Sequence, residues 1–255
     1  MEDYKSIFDI QAEVGLTKQI GGLKATEELV ELCHIDRGKY VLDVGCGVGL
    51  TACYLAKRYS CRVVGVDIRE KMIDWSNERA RKEGVEDRVE FRVADAQDLP
   101  FEDDLFDVVI CESVVALVQD KQRMVNDLAR VTKPGGYVGL NESTWIKTPV
   151  PTEWVELLAS DLSDKGQTLT SDGWVGLLEG AGLRDIVVRI HETNARSESV
   201  NFLKRYGLRD LLRICSRSLS LYFRSPAYRS IAKEAAGVPK NLLEYMGYGI
   251  CVGRK

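Results

Sequence analysis

Three glycines at alternate positions, Gly45, Gly47 and Gly49, stand between an apolar run, Tyr40–Val44, and a segment with helical spacing, Leu50–Tyr59. A glycine-rich strand-to-helix turn lets a ligand approach the backbone, because glycine lacks a Cβ and adopts positive φ readily. Two carboxylates flank this turn. Asp43 lies two residues before the first glycine, and Asp67 closes the next apolar run, Arg62–Val66. The G-x-G-x-G spacing departs from the G-x-G-x-x-G of dinucleotide binders, and a carboxylate at Asp43 repels a pyrophosphate. It suits instead a ligand carrying an ammonium and a sulfonium. Asp67, about twenty residues after the glycines, is placed to accept from both hydroxyls of a ribose. A tight turn without a ligand is the alternative for the glycines, and an N-cap of the following helix is the alternative for Asp67.

Further along, Asp95 can accept from the exocyclic amine of an adenine, and the small Ala96 leaves room for the ring. Asp98, Glu102, Asp103 and Asp104 read as a solvated acidic loop. Glu112, Glu142 and His191 each end or follow an apolar run and are the candidates for a catalytic base. The seven cysteines are irregularly spaced with no C-x-x-C pair, which predicts free, mostly buried thiols and no metal site.

The elements that must position these residues alternate. Strands are expected at Tyr40–Val44, Arg62–Val66, Val89–Val93, Phe106–Cys111, Tyr137–Asn141, Ile186–Ile190 and Tyr248–Val252. Helices are expected at Leu50–Tyr59, at Glu70–Glu83 with Gly84 as its stop, after Asp120, and from Ser171 as N-cap to Gly182. Lys133-Pro134-Gly135-Gly136 reads as a turn. Two short helices precede the first strand, the second capped by Thr26, with the turn Gln19-Ile20-Gly21-Gly22 between them. The order implies an open, mostly parallel seven-stranded α/β sheet with helices on both faces. Ligands bind such sheets beyond the carboxyl ends of the strands, where strand order reverses. Asp43, Asp67, Asp95 and Glu112 recur at that rim, which packing alone does not explain.

Bulk properties narrow the class. A chain of 255 residues, 45% hydrophobic and 29% charged, is an ordinary globular composition. The net charge of −4 gives no global attraction to nucleic acid. The start, Met1-Glu2-Asp3-Tyr4, has no apolar segment behind it, and no stretch is long enough to span a bilayer. A cytoplasmic protein is expected, with peripheral membrane contact as an option.

Residues from about Lys39 to Glu142 resemble the class I S-adenosylmethionine-dependent methyltransferases, above all the methyltransferase type 11-like branch acting on small molecules and lipids. The segment Asp95-Ala96-Gln97-Asp98-Leu99-Pro100-Phe101 and the Lys133-Pro134-Gly135-Gly136 turn carry that resemblance beside the glycine motif. The resemblance implies a Rossmann-like, doubly wound sheet and S-adenosylmethionine as cofactor, with S-adenosylhomocysteine as product. It assigns the methionine part to Asp43, Gly45, Cys46, Gly47 and Gly49, the ribose to Asp67, and the adenine to Ile68, Met72, Asp95 and Ala96. Glu112 follows the fourth strand in that scheme, and the Gly21-Gly22 turn resembles an N-terminal lid, adding Gly22. The reaction is a direct displacement with a neutral leaving group, so alignment supplies much of the effect, roughly 7–11 kcal/mol in favourable cases, and no fixed catalytic residue is demanded. The N-P-P-Y motif of enzymes that methylate nucleic-acid amines is absent, since Cys111-Glu112-Ser113-Val114 stands in its place.

The expected organisation is an N-terminal lid (1–35), a methyltransferase core (36–191 and 247–255) and a helical cap inserted before the last strand (192–246). Within it, Arg205, Arg209, Arg213 and Arg217 recur every fourth residue, while Leu208, Leu211, Leu212, Cys215 and Leu219 mark a different face. One reading is a cap helix packed by its apolar face with its arginines in water. The other is contact of residues 202–233 with anionic lipid or an anionic substrate. The expected acceptor is a small or lipid-like molecule, of quinone or isoprenoid type. The alternatives are a hydrophilic amine or thiol metabolite, or a cofactor-sensing protein without turnover. No nucleic-acid partner is expected.

Overall fold

In the computed structural model, Tyr4 and residues 6–161, 167–236 and 240–255 are described. Residues 1–3 and 5 of the expected lid and 237–239 of the expected cap lie outside them, as do residues 162–166. The central strands are β1 (Tyr40–Val44), β2 (Arg62–Asp67), β3 (Val89–Val93), β4 (Phe106–Glu112), β5 (Thr132–Trp145), β6 (Leu169–Thr170), β7 (Arg184–His191) and β8 (Met246–Arg254). The sheet runs β3-β2-β1-β4-β5-β8-β7, with β6 paired to β5 off this path. Strands β3 to β5 of that path are mutually parallel, and β8 is antiparallel to both its neighbours. The sheet is doubly wound and mostly parallel, as the alternation predicts. The eighth strand is the two-residue β6, too short to leave a periodic signal.

The helices are α1 (Ile7–Val14), α2 (Gly22–Leu32), α3 (Leu50–Tyr59), α4 (Glu70–Glu83), α5 (Lys121–Val131), α6 (Thr152–Asp161), α7 (Ser171–Gly180), α8 (Ala195–Arg205), α9 (Leu208–Arg224) and α10 (Pro226–Ala236). Successive strand residues point to opposite faces, and each face has its own core. Leu42, Val44, Val64, Val66 and Val109 meet Met124, Val125 and Leu128 of α5 and Trp174 and Leu178 of α7. Val41, Val63, Val108 and Ile110 meet Ala25 and Leu29 of α2, Cys33 at its C-cap, and Ala52, Leu55 and Ala56 of α3. The alternation sends Asp43 to the α2/α3 side, among apolar neighbours.

Three local expectations change. Thr26 does not cap α2. The helix starts earlier, at Gly22 after Gly21 in the left-handed region, and Thr26 is buried inside it. Thr170, not Ser171, caps α7, accepting from the Gly173 N–H. Lys133–Gly136 lies within β5 as an irregularity. Phe106 pairs with Thr132 but Val108 with Tyr137, so four residues face Asp107 alone, and Lys133 Nζ bonds its carboxylate at 2.7 Å.

The segment between β7 and β8 holds α8, α9 and α10, and here the amphipathic expectation is met only in part, since Leu211, Ile214 and Leu221 pack with Val48, Met72 and Trp75 while other leucines face out. Asp210 and Ile214 are the buried residues of α9, while Leu208, Leu212, Leu219 and Phe223 are 60–75% exposed. Of the α9 arginines, Arg209 stays exposed and Arg213 is half-buried. Arg213 and Arg217 stack over the Trp75 ring of α4, 4.3 and 4.6 Å from its centroid. Asp210 receives Arg79 at 3.2 Å and Lys82 at 2.9 Å, with Arg213 3.7 Å away. Burial pushes the Asp210 carboxyl up, but the Lys82 hydrogen bond and the neighbouring Arg79 charge hold it below the usual carboxylate range. The competition between apolar burial and ion pairing is thus decided on α4. Trp75 supplies a flat face for guanidinium groups, and a helix carrying one acid must aim it at the cations of α4.

Candidate functional site

Strand order reverses between β1 and β4, and the glycine turn emerges there. Gly45 and Cys46 donate to Val66 O at 2.8 and 2.9 Å, which pins the turn to the end of β2. Gly45 (φ +73°) and Gly47 (φ +54°) occupy the left-handed region. A Cβ would fall 2.2 Å from Val114 Cγ2 at Gly45 and 2.1 Å from Thr17 Oγ1 at Gly47. Both glycines are therefore required twice over, by torsion and by close cover. Gly49 starts α3, and the buried Cys46 lies behind the turn.

Asp67 braces the turn and the entry to α4, whose N-cap is Arg69 and not Asp67. Its Oδ1 accepts from Arg69 N at 2.9 Å and its Oδ2 from Gly47 N at 3.1 Å. Burial raises its pKa, partly offset by those two N–H groups. Beside it the rim is open and apolar, with Ile68 58% and Val93 52% exposed. Met72 is buried below, and Asp95 is exposed, accepting from Gln97 N at 2.9 Å. Ala96 is half-buried against the core.

The deepest part is a polar cluster under α2 and α3. Glu112, ending β4, accepts from Gln19 Nε2, from Thr51 Oγ1 at 2.9 Å, from Thr26 Oγ1 at 3.1 Å and from Asn141 Nδ2 at 3.2 Å. Arg205, the last residue of α8, reaches in and donates from Nη2 to Thr51 Oγ1 at 3.1 Å. Asp43 is 2% exposed. Burial, then the charge of Glu112, lifts its pKa to about 8. Burial also pulls the Arg205 guanidinium below its usual value.

Eight buried side-chain polar atoms among the described residues have no hydrogen-bond partner, and five lie in this cluster: Gln19 Oε1, Asp43 Oδ2, Asn141 Oδ1, and Nε and Nη1 of Arg205. A buried polar group left unpaired costs about 1–3 kcal/mol. A concentration of this kind fits a site that a ligand or ordered water completes.

The structure brings Asp43, Gly45, Gly47, Gly49, Asp67 and Glu112 to one rim and leaves other candidates apart. Glu142 is committed to the backbone, accepting from Val114 and Val115 N at 2.8 Å and Ala116 N at 3.3 Å. Burial, working against those three N–H groups, lifts its pKa to about 7. It holds the 3-10 turn Val115–Leu117 and thereby Val114 over Gly45. His191 stacks on Tyr248 and lies 2.9 Å from the Glu28 carboxylate, outside the cluster. Gly22 starts α2 under Asn201 of α8.

Sequence reasoning missed Gln19, Thr51 and Asn141 and gave Arg205 no site role. Asn141 carried the one usable signal, a polar residue inside an apolar strand beside Glu142. Gln19 and Arg205 reach the cluster from 93 and 154 residues away in sequence, bonding Glu112 and Thr51 respectively.

Comparison with known proteins agrees with this geometry. Residues 42–140 match the Methyltransferase domain family. Methyltransferase GfsG of Streptomyces halstedii is 35% identical over 164 residues, 64% of this chain and 59% of that protein. Phosphoethanolamine N-methyltransferase 1 of Arabidopsis thaliana is 34% identical over 170 residues, 66% of this chain and 33% of its own. A methyltransferase from Thiobacillus denitrificans, solved with S-adenosyl-L-homocysteine, shares the fold, with TM-score 0.72, 21% identity and 99% of each chain covered. Through residues 42–140 the chain belongs to the class I S-adenosylmethionine-dependent methyltransferases. It spans only 59% of the first of these relatives and about a third of the second.

Proposed function

We propose that this protein transfers the methyl group of S-adenosylmethionine to a small, lipid-like acceptor by direct displacement. The concentration of unpaired buried polar atoms around Asp43 carries the reading. The donor set fits the cofactor. Asp43 Oδ2 is a free acceptor for an ammonium beside a backbone turn opened by Gly45, Gly47 and Gly49. Cys46 lies behind that turn. Each Asp67 oxygen keeps a lone pair for a ribose hydroxyl after its one backbone bond. Ile68 offers an exposed apolar surface for an adenine, with Met72, Asp95 and Ala96 around it. Glu112 lies in the same cluster, but its four side-chain donors make it a brace of the pocket in this reading, so no residue is assigned as a base. This reading does not use Glu142, which three backbone N–H groups occupy, or His191, which stacks on Tyr248 outside the cluster. When bound, the sulfonium supplies an activated methyl and leaves as a neutral thioether.

Labelled cofactor and a cell extract test the acceptor class. Label entering the organic phase supports a lipid-like acceptor of quinone or isoprenoid type. Label confined to the aqueous phase moves the assignment to a hydrophilic amine or thiol metabolite. Cofactor binding with no transfer leaves a sensing protein.

A membrane-facing role for the segment between β7 and β8 follows from the apolar side of α9, not its arginine stripe. Leu208, Leu212, Leu219, Tyr222 and Phe223 form one exposed face at 3–4 residue spacing. Residues 200–233 hold eight Lys and Arg and a single acid, Asp210, which is buried in ion pairs. That charge balance suits an anionic bilayer and disfavours a second copy of the same cationic face. Co-sedimentation with phosphatidylglycerol vesicles, lost when Leu212, Leu219 and Phe223 become Ser, is the expected outcome. No binding, or a dimer in light scattering that the same changes dissolve, overturns it.

A further inference from the structure

Arg205 sits at the end of α8, on the segment between β7 and β8, yet its guanidinium belongs to the cluster around the glycine turn. It spends one nitrogen, Nη2, on Thr51, the second residue of α3. The other two, Nε and Nη1, are buried and meet nothing. Arginine recognises carboxylate with two parallel N–H donors, and both of its forks, Nε/Nη2 and Nη1/Nη2, include Nη2, which keeps a second N–H beyond its Thr51 bond. An unpaired guanidinium edge in a buried place is costly, so its persistence asks for an anion. The anion is not supplied by the chain. Glu112 is spoken for by four donors, Gln19, Thr26, Thr51 and Asn141. Asp43 keeps its own free oxygen.

Asp43 and Arg205 feel each other's charge across the cluster, each altering the other's ionisation. A free carboxylate oxygen and a guanidinium with unpaired N–H groups in one buried cluster are complementary to a zwitterion. An α-amino acid group carries its ammonium and its carboxylate on one carbon, roughly 3 Å apart, so the two partners would serve the same end of a ligand. Lys57, Arg58 and Lys204, with Glu83 as the one acid, join Arg205, Thr51 and Thr26 in lining a cleft of about 430 Å³ between α2, α3 and α8. The cationic mouth adds a field that favours the anionic end there.

We infer that Arg205 anchors the carboxylate of the amino-acid end of the cofactor, so that the segment between β7 and β8 helps build the cofactor pocket itself. This rests on the cofactor placement proposed above. A mechanical consequence follows: ligand bridges α8 to α3 and the glycine turn, so binding should slow amide exchange in α8 as well as at the rim.

The test compares two ligands in calorimetry, S-adenosylmethionine and its decarboxylated form, which keeps the ammonium, ribose and adenine. The wild-type protein should bind the decarboxylated form more weakly. Arg205→Gln should weaken the intact cofactor by about 10- to 100-fold, the scale of one charged hydrogen-bond pair. It should leave affinity for the decarboxylated form within about twofold. Arg205→Lys, which keeps the charge and guards against loss of folding, should retain part of the preference for the carboxylated ligand. Equal weakening of both ligands by Arg205→Gln, or no effect on either, overturns the anchor. Failure of wild type to bind either ligand overturns the cofactor placement instead.

Discussion

The rim of β1 to β4 and the segment between β7 and β8 face the same pocket but follow from the sequence in different ways. At the rim, spacing determines structure. The glycines must turn with positive φ, and the next strand must end beside them, so Asp43, Asp67 and Glu112 converge whatever the rest of the chain does. In α9 the spacing is equally regular, yet it does not determine which face packs. A helix with arginines on one side and leucines on another can bury either if the neighbour offers suitable chemistry, and α4 offers Trp75, Arg79 and Lys82.

The largest expected break in that comparison comes from the ion-pair cluster. Asp210→Ala leaves Arg79, 9% exposed, without its buried acid. Removing one partner of a buried pair costs about 3–5 kcal/mol, which for a chain of this size is a fall in Tm of about 6–20 °C. Thermal melting checks it. A shift below about 2 °C would mean that α9 is held by apolar contacts after all.

The pH response of the rim is the next effect in size. Asp43 ionises near 8 in the ligand-free fold and near 4 when unfolded. Between those values the folded state holds a proton that the unfolded state has released. Stability from this group is therefore full at low pH and is lost as pH rises through that window. Ligand binding runs the other way, because an ammonium favours the ionised carboxylate. Affinity for S-adenosylhomocysteine should rise between pH 5.5 and 7.5, by at most about tenfold per pH unit. In Asp43→Asn the profile should flatten. A wild-type profile already flat over that range contradicts the role given to Asp43.

The smallest effect separates the two faces of α9. Arg213→Gln should lower stability by about 0.5–2 kcal/mol through lost stacking on Trp75 and should shift the tryptophan fluorescence. Leu212→Ser on the outer face should stay within about 0.5 kcal/mol. The reverse ranking in denaturant titrations would restore the arginine-outward reading.

What was legible in the sequence was what local rules fix: the alternation of strands and helices, the glycine turn, and the rim carboxylates Asp43, Asp67, Asp95 and Glu112. The rest depends on distant partners. Thr26 has the chemistry of an N-cap, and only its position over Glu112 shows that it serves the cluster. Glu142 looks like a base at a strand end until the three N–H groups of the 3-10 turn are seen to fill it. Gln19 resembles turn filler, and Arg205 one of four equivalent arginines, until the fold closes them on the same cavity.

The central claim is that the rim around Asp43 and Asp67 is an S-adenosylmethionine site. Calorimetry of wild type and Asp67→Ala with S-adenosylhomocysteine tests it most directly, with NAD as the control. The account predicts one site per chain in wild type, affinity about 5- to 150-fold weaker in Asp67→Ala from a lost partner worth 1–3 kcal/mol, and no NAD binding. Tight NAD binding without S-adenosylhomocysteine binding, or equal S-adenosylhomocysteine affinity in both proteins, would contradict it.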